Sequence, residues 1–127
     1  MINQISICTA GILTICMGAF HVQFVKIFKW KEEYTKISVL NRKIFHTIHL
    51  ALLLFFFLFG ALTLIYAKEL SQPKGLALGL NLLFVVFWLW RTLWQIIYFK
   101  GKTMHYVLTG IFLLLCISYL VPVLTYL

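Results

Sequence analysis

Four long apolar runs separated by short basic segments dominate the chain. The first extends from Ile5 to Phe28 and is interrupted by a few polar residues, among them Thr9, Thr14, His21, Gln23 and Lys26. The second covers 44–67 and includes an unbroken stretch from Leu52 to Phe59; the third covers 76–99 and the fourth 104–127. About 20 apolar residues, rising 1.5 Å each, cross a hydrocarbon core roughly 30 Å thick. Each run therefore predicts a transmembrane helix, and Pro122 should kink or fray the last turns of the fourth.

The segments between them are short. In 29–43, Trp30, Tyr34, Ile37 and Leu40 recur at helical spacing, with Lys31, Glu32, Glu33 and Lys36 on the other faces. That pattern suits a short helix lying in the headgroup layer, with Glu32 and Lys36 in favourable i, i+4 order. Residues 68–75 read as a turn broken by Pro73 and Gly75, and Lys100, Gly101 and Lys102 close the third run. The opening Met-Ile-Asn-Gln-Ile-Ser carries no positive charge, so the first run is expected to stay in the mature protein rather than act as a signal. The expected fold is an all-α, up-down four-helix transmembrane bundle forming one domain over 1–127.

Composition strengthens this reading. Hydrophobic residues make up 63% of the chain and charged residues 11%, against about 45–50% and about 25% in soluble domains. A water-soluble domain of this length has too little interior to hide so much apolar surface. The formal net charge is +8, which in a soluble protein would suggest nucleic acid. Here the basic residues flank apolar runs, so the expected partners are the lipid bilayer and anionic headgroups, with other membrane subunits or a homo-oligomer also open. Cys8 and Cys16 lie eight positions apart on one helix, roughly 12 Å, too far for a disulfide. With Cys116 they read as small apolar side chains.

The basic residues also predict an orientation. The first connection holds six (Lys26, Lys29, Lys31, Lys36, Arg42, Lys43) and the third holds three (Arg91, Lys100, Lys102), against Lys68 and Lys74 in the second. The first and third share a side, so 29–43 and 100–103 should face the cytoplasm of a cell membrane and both termini should face out.

Polar residues within the spans gather at that same side. His21, His49, Arg91 and Gln95 all fall roughly 8–12 Å or less inside the boundary, counted along their helices. His46 and His105 lie nearer the edge, where water or phosphate can meet them. Ionisable groups inside a span are costly and mark candidate sites. Their stripes agree too. His21 follows Ala10, Thr14 and Gly18; His49 precedes Leu53, Phe56, Gly60 and Thr63; Arg91 precedes Gln95 and Tyr98; His105 precedes Thr109, Phe112 and Cys116. All four stripes should converge on one pocket, in which His21 faces His49 and Arg91 is paired. Trp88, Trp90, Trp94 and Tyr98 are expected in an aromatic belt, with Trp94 and Tyr98 as secondary pocket candidates.

The three carboxylates, Glu32, Glu33 and Glu69, all lie at interfaces. A carboxylate-bridged di-iron site, a Glu-assisted metalloprotease and a Ser/His/Asp set therefore lack their acid, and no catalytic residue is expected. The leading expectation is an accessory or scaffold subunit. One alternative is a redox bundle binding haem b or a quinone through His21 and His49, since paired histidines resemble membrane b-type cytochromes in that one respect. Another is a module that binds or transports a small anion or a metal ion, the metal being undetermined.

Orientation is the first expectation open to test. In a Cys-free background, a cysteine at Ser71 should be labelled from outside intact cells, and one at Ser38 only after permeabilisation. The reverse pattern would invert the topology.

Overall fold

The computed structural model describes all 127 residues. Its helices are α1 (Ile2–Val22), α2 (Phe24–Ile27), α3 (Trp30–Glu33), α4 (Val39–Ile65), α5 (Ala67–Ser71), α6 (Leu76–Tyr98) and α7 (Thr103–Tyr126), with a 3-10 turn at Tyr34–Lys36. Four spans are long and apolar enough to cross a membrane: Ile2–Ile27, which joins α1 and α2, then α4, α6 and α7. They pack as one bundle. Gly11 meets Leu64 and Gly60 while Gly18 meets Phe56, so α1 and α4 are antiparallel. Phe59 meets Phe84 while Phe55 meets Phe87, which makes α4 and α6 antiparallel. Phe84 stacks on Tyr119 and Trp88 on Phe112, giving the same relation between α6 and α7. The expected up-down bundle is the fold.

The distribution of residue types identifies the solvent. The buried set includes Thr14, His49, Thr63, Asn81, Thr92, Gln95 and Ser118, whereas Leu54, Leu83, Val86, Ile97 and Leu124 are more than half exposed. A soluble protein reverses this arrangement. With apolar chains outside and hydrogen-bonding groups inside, the chain is a small polytopic membrane protein.

Lipid gives helices no hydrophobic reason to associate, so close packing and polar bonds must hold them. The α1–α4 interface supplies the packing. A Cβ added at Gly60 would sit 2.5 Å from Ile15 Cγ1 and 3.1 Å from the Gly11 carbonyl oxygen. The absent side chain lets the two backbones touch. Between α4 and α6 the opposite device operates: Phe55, Phe56 and Phe59 on one side and Phe84, Phe87 and Trp88 on the other fill a wider gap with rings.

A second device joins α1 to α7. Pro122 lies inside α7, which continues to Tyr126 instead of fraying. Proline has no N–H, so it cannot satisfy the carbonyl four residues earlier, that of Ser118. That oxygen instead accepts a hydrogen bond of 2.6 Å from the Ser6 hydroxyl on α1. Nearby, Thr125 Oγ1 lies 3.0 Å from Asn3 Oδ1, and Asn3 Nδ2 donates to the Ser71 carbonyl of α5 at 3.3 Å. α1 thus ties down both the proline-bearing helix and the second connection.

Several local expectations need correction. The second span begins at Val39 rather than 44, because Ser38 caps it by accepting from the Asn41 N–H at 3.2 Å. The connector is therefore shorter than 29–43: it is α3 plus the 3-10 turn, entered through Lys29 in a left-handed conformation (φ 50°, ψ 45°). Three residues per turn in that 3-10 segment favour i, i+3 neighbours, and Lys36 pairs with Glu33 at 2.8 Å rather than with Glu32. The 68–75 turn contains α5, whose Ala67, Leu70 and Ser71 are buried; Gly75, at φ 51° and ψ −121°, then starts α6. Because Ser71 is only 7% exposed, the exposed Gln72 is the better labelling position. Trp88 is not a belt residue. It is 2% exposed and lies between Phe56 and Phe112, because its position on α6 aligns with Phe84 and Gln95.

The proline repair predicts a coupling. Ser6→Ala should cost about 1–2 kcal/mol by orphaning the Ser118 carbonyl, and much less once Pro122→Ala restores an N–H to that oxygen. Unfolding of the two single variants and the double variant in one detergent measures it. Additive effects would mean that the serine does not serve the proline.

Candidate functional site

A cavity of about 550 Å³ opens between α1–α2, α6 and α7, at the end that carries the Lys100–Lys102 turn. Met17, Phe20, Phe24 and Phe28 form one wall, and Leu108 and Phe112 another. Set into these apolar walls are His21, Arg91, Gln95 and His105, with Lys100 and Lys102 at the mouth. Helical periodicity brings them together. Arg91 and Gln95 are one turn apart on α6, His21 projects from the last turn of α1, and His105 lies in the first turn of α7.

No acid enters the cavity, and the chain's one ion pair, Lys36–Glu33, lies in the connector. The Arg91 guanidinium rests 4.5 Å above the centre of the Phe112 ring and 5.7 Å from that of Phe99, a favourable but modest cation–π contact. Arg91 Nη1 and His105 Nδ1 are buried and have no hydrogen-bond partner. The expected pairing of Arg91 inside the bundle is thus to aromatic faces, not to a hydrogen-bonding group. Two unsatisfied polar atoms on facing helices of one basic cavity are uncommon, since buried polar groups are nearly always paired.

The histidines divide between two tasks. His21 Nδ1 lies 2.7 Å from the Met17 carbonyl oxygen. A carbonyl can only accept, so Nδ1 carries the proton and the neutral ring has a free lone pair on Nε2. The ring packs between Phe24 and Phe56 at centroid distances of 4.2 and 4.8 Å. His49 is buried but does not line the cavity. Its Nε2 donates to the His21 carbonyl oxygen at 3.0 Å, and its ring meets Trp30 edge-on at 4.6 Å. The structure therefore joins the two histidines through ring and backbone, with His49 holding the end of α1 and the connector against α4. His46 is exposed, away from the cavity. Trp94 stacks between Trp90 and Tyr98 on the outer face of α6, and only Tyr98 reaches the cavity rim.

Polar side chains also meet further along the bundle, where the inward-stripe residues Thr14 and Thr63 are joined by Tyr119. Tyr119 Oη and Thr63 Oγ1 are 2.8 Å apart, joining α7 to α4, and Thr14 beside them bonds to the Ala10 carbonyl at 2.7 Å. Asn81, fully buried, donates to the Leu70 carbonyl at 2.8 Å. The signal for Tyr119 was present: it lies three positions beyond Cys116 on the inward stripe of α7. No group of three or more His, Cys, Asp or Glu side chains is placed to hold a metal ion. Comparison with known proteins gives no match to a family model, a curated protein or a solved structure.

The role of His49 is open to a direct test. His49→Phe preserves a ring against Trp30 but removes the donor to the His21 carbonyl. It should lower stability in detergent by about 1 kcal/mol. An unchanged melting temperature would show that this bond carries nothing.

Proposed function

We propose that this small membrane protein binds an anion bearing a phosphate group in the cavity around Arg91. The observation that carries this reading is the pair of unpartnered buried atoms, Arg91 Nη1 and His105 Nδ1, in a cavity that holds cations and no acid. A guanidinium offers two parallel N–H donors to such a group, and the apolar surroundings strengthen the attraction. Gln95 can add a further donor, and His21 Nε2 can accept from a protonated oxygen of the ligand. Lys100 and Lys102 at the mouth raise the local concentration of anions. Of the functions open to this chain, small-anion binding draws most support from the arrangement. The haem alternative draws less, because His49 Nε2 is occupied by a backbone carbonyl outside the cavity. An accessory role in a larger assembly is compatible with anion binding. We assign the Arg91 end to the cytoplasm on the basic bias of its connections.

The proposal separates stability from binding. Arg91 has no hydrogen-bonding protein partner to strand, so Arg91→Leu should leave ligand-free stability within about 1 kcal/mol of the parent. The same change should remove stabilisation by an anion, which for the parent reaches about 2.7 kcal/mol at a hundredfold excess over Kd. Thermal unfolding of the purified protein with inorganic phosphate, and separately with phosphatidic acid in mixed micelles, reads both effects. A response to free phosphate indicates a soluble ligand; a response to phosphatidic acid alone indicates a lipid headgroup. No response to either, or an equal response in Arg91→Leu, overturns the proposal.

A further inference from the structure

A second cavity lies at the opposite end of the bundle, between α4 and α6. It measures about 480 Å³, within the usual range for small-ligand sites. The phenylalanines that fill the α4–α6 gap elsewhere stop at Phe59 and Phe84, and beyond them Leu62, Ala77 and Leu80 leave the gap open. The result is an apolar cleft facing the bilayer. Its mouth merges with a polar hollow of about 370 Å³ lined by Lys68, Glu69, Gln72 and Lys74, and the two share Glu69, Lys74 and Ala77.

The charges at this mouth are mixed, unlike those around Arg91. Glu69 is the one acid outside the connector, and it forms no ion pair although Lys68 and Lys74 line the same hollow. Lys74 is instead directed over the Tyr126 ring of α7, 5.5 Å from its centre. One negative and two positive groups thus stand apart around a space that leads into an apolar slot.

We propose that this cleft seats a zwitterionic phospholipid with a primary ammonium headgroup. One acyl chain lies between α4 and α6, the ammonium lies against Glu69, and the phosphate lies against Lys68 and Lys74. Charge complementarity selects this occupant. A purely anionic headgroup leaves Glu69 unanswered. A quaternary ammonium offers the carboxylate no N–H donor, which weakens the contact. The site is independent of the anion cavity and shares no residue with it.

The test uses the protein extracted from bilayers containing equal amounts of phosphatidylethanolamine, phosphatidylcholine and phosphatidylglycerol, with bound lipid read by native mass spectrometry. The parent should retain one phosphatidylethanolamine, about tenfold or more over either competitor, as one charge-assisted hydrogen bond implies. Glu69→Gln, at an exposed position, should bring that preference close to unity. Ala77→Trp, which fills the junction of the two cavities, should lose the bound lipid altogether. Arg91→Leu should change none of these results, so failure here is separate from failure of the anion site. Equal retention of all three lipids by the parent, or an undiminished preference in Glu69→Gln, overturns the proposal. A two-chain species without lipid would do the same, by showing that a second copy covers the cleft.

Discussion

The hydrocarbon core of a bilayer cannot hydrogen-bond to a protein, and the architecture depends on that constraint. Every N–H and C=O in the spans must find a partner within the bundle, because each one left over costs as much as a buried polar group in a dry core. Helices satisfy most of this demand automatically. The exceptions are Pro122, the break after Val22 and the ends near Ser71, and a side chain from another helix answers each: Ser6 for the Ser118 carbonyl, His49 for the His21 carbonyl, Asn3 and Asn81 for the carbonyls of α5. These cross-links come from polar residues that read in sequence as isolated interruptions of apolar runs.

With most of that demand met along the helices, the cavity around Arg91 stands out because two unmet atoms from facing helices share it. Arg91 and His105 keep donor or acceptor capacity that no protein group uses, and the surrounding rings of Phe20, Phe24, Phe99 and Phe112 offer none. Asn81 Oδ1, Arg42 Nε and Tyr34 Oη are also buried without a partner, each outside this cavity. That shared cavity is the ground for the proposed anion site, since buried polar groups are nearly always paired.

The four spans and the inward stripes were legible in the sequence because apolar length and 3.6-residue periodicity determine both. Thr14, Gly18, Phe56, Gly60, Thr63, Phe112 and Cys116 were placed on inward faces, and all are buried. The convergence of His21, Arg91, Gln95 and His105 followed from depth and face together. His49 shows where that reasoning stops. Depth and stripe put its ring inside the bundle, but whether a ring turns toward a cavity or toward a neighbouring carbonyl depends on the break at Gln23 and on Trp30 folding back, and neither has a periodic signature. The start of α4 at Val39 was missed for a related reason: Asn41, Arg42 and Lys43 look like connector by charge, whereas the Ser38 cap overrides charge.

The serine that completes Pro122's helix has a bearing on biogenesis. α1 leaves the ribosome long before α7, so the Ser6 hydroxyl waits through the insertion of two intervening spans. Until α7 docks, its gap at Ser118 faces lipid or whatever the insertion machinery offers. Closing the ring of helices is then what makes α7 comfortable in the membrane. A chain stalled before that step would hold a span with one bare carbonyl at membrane depth.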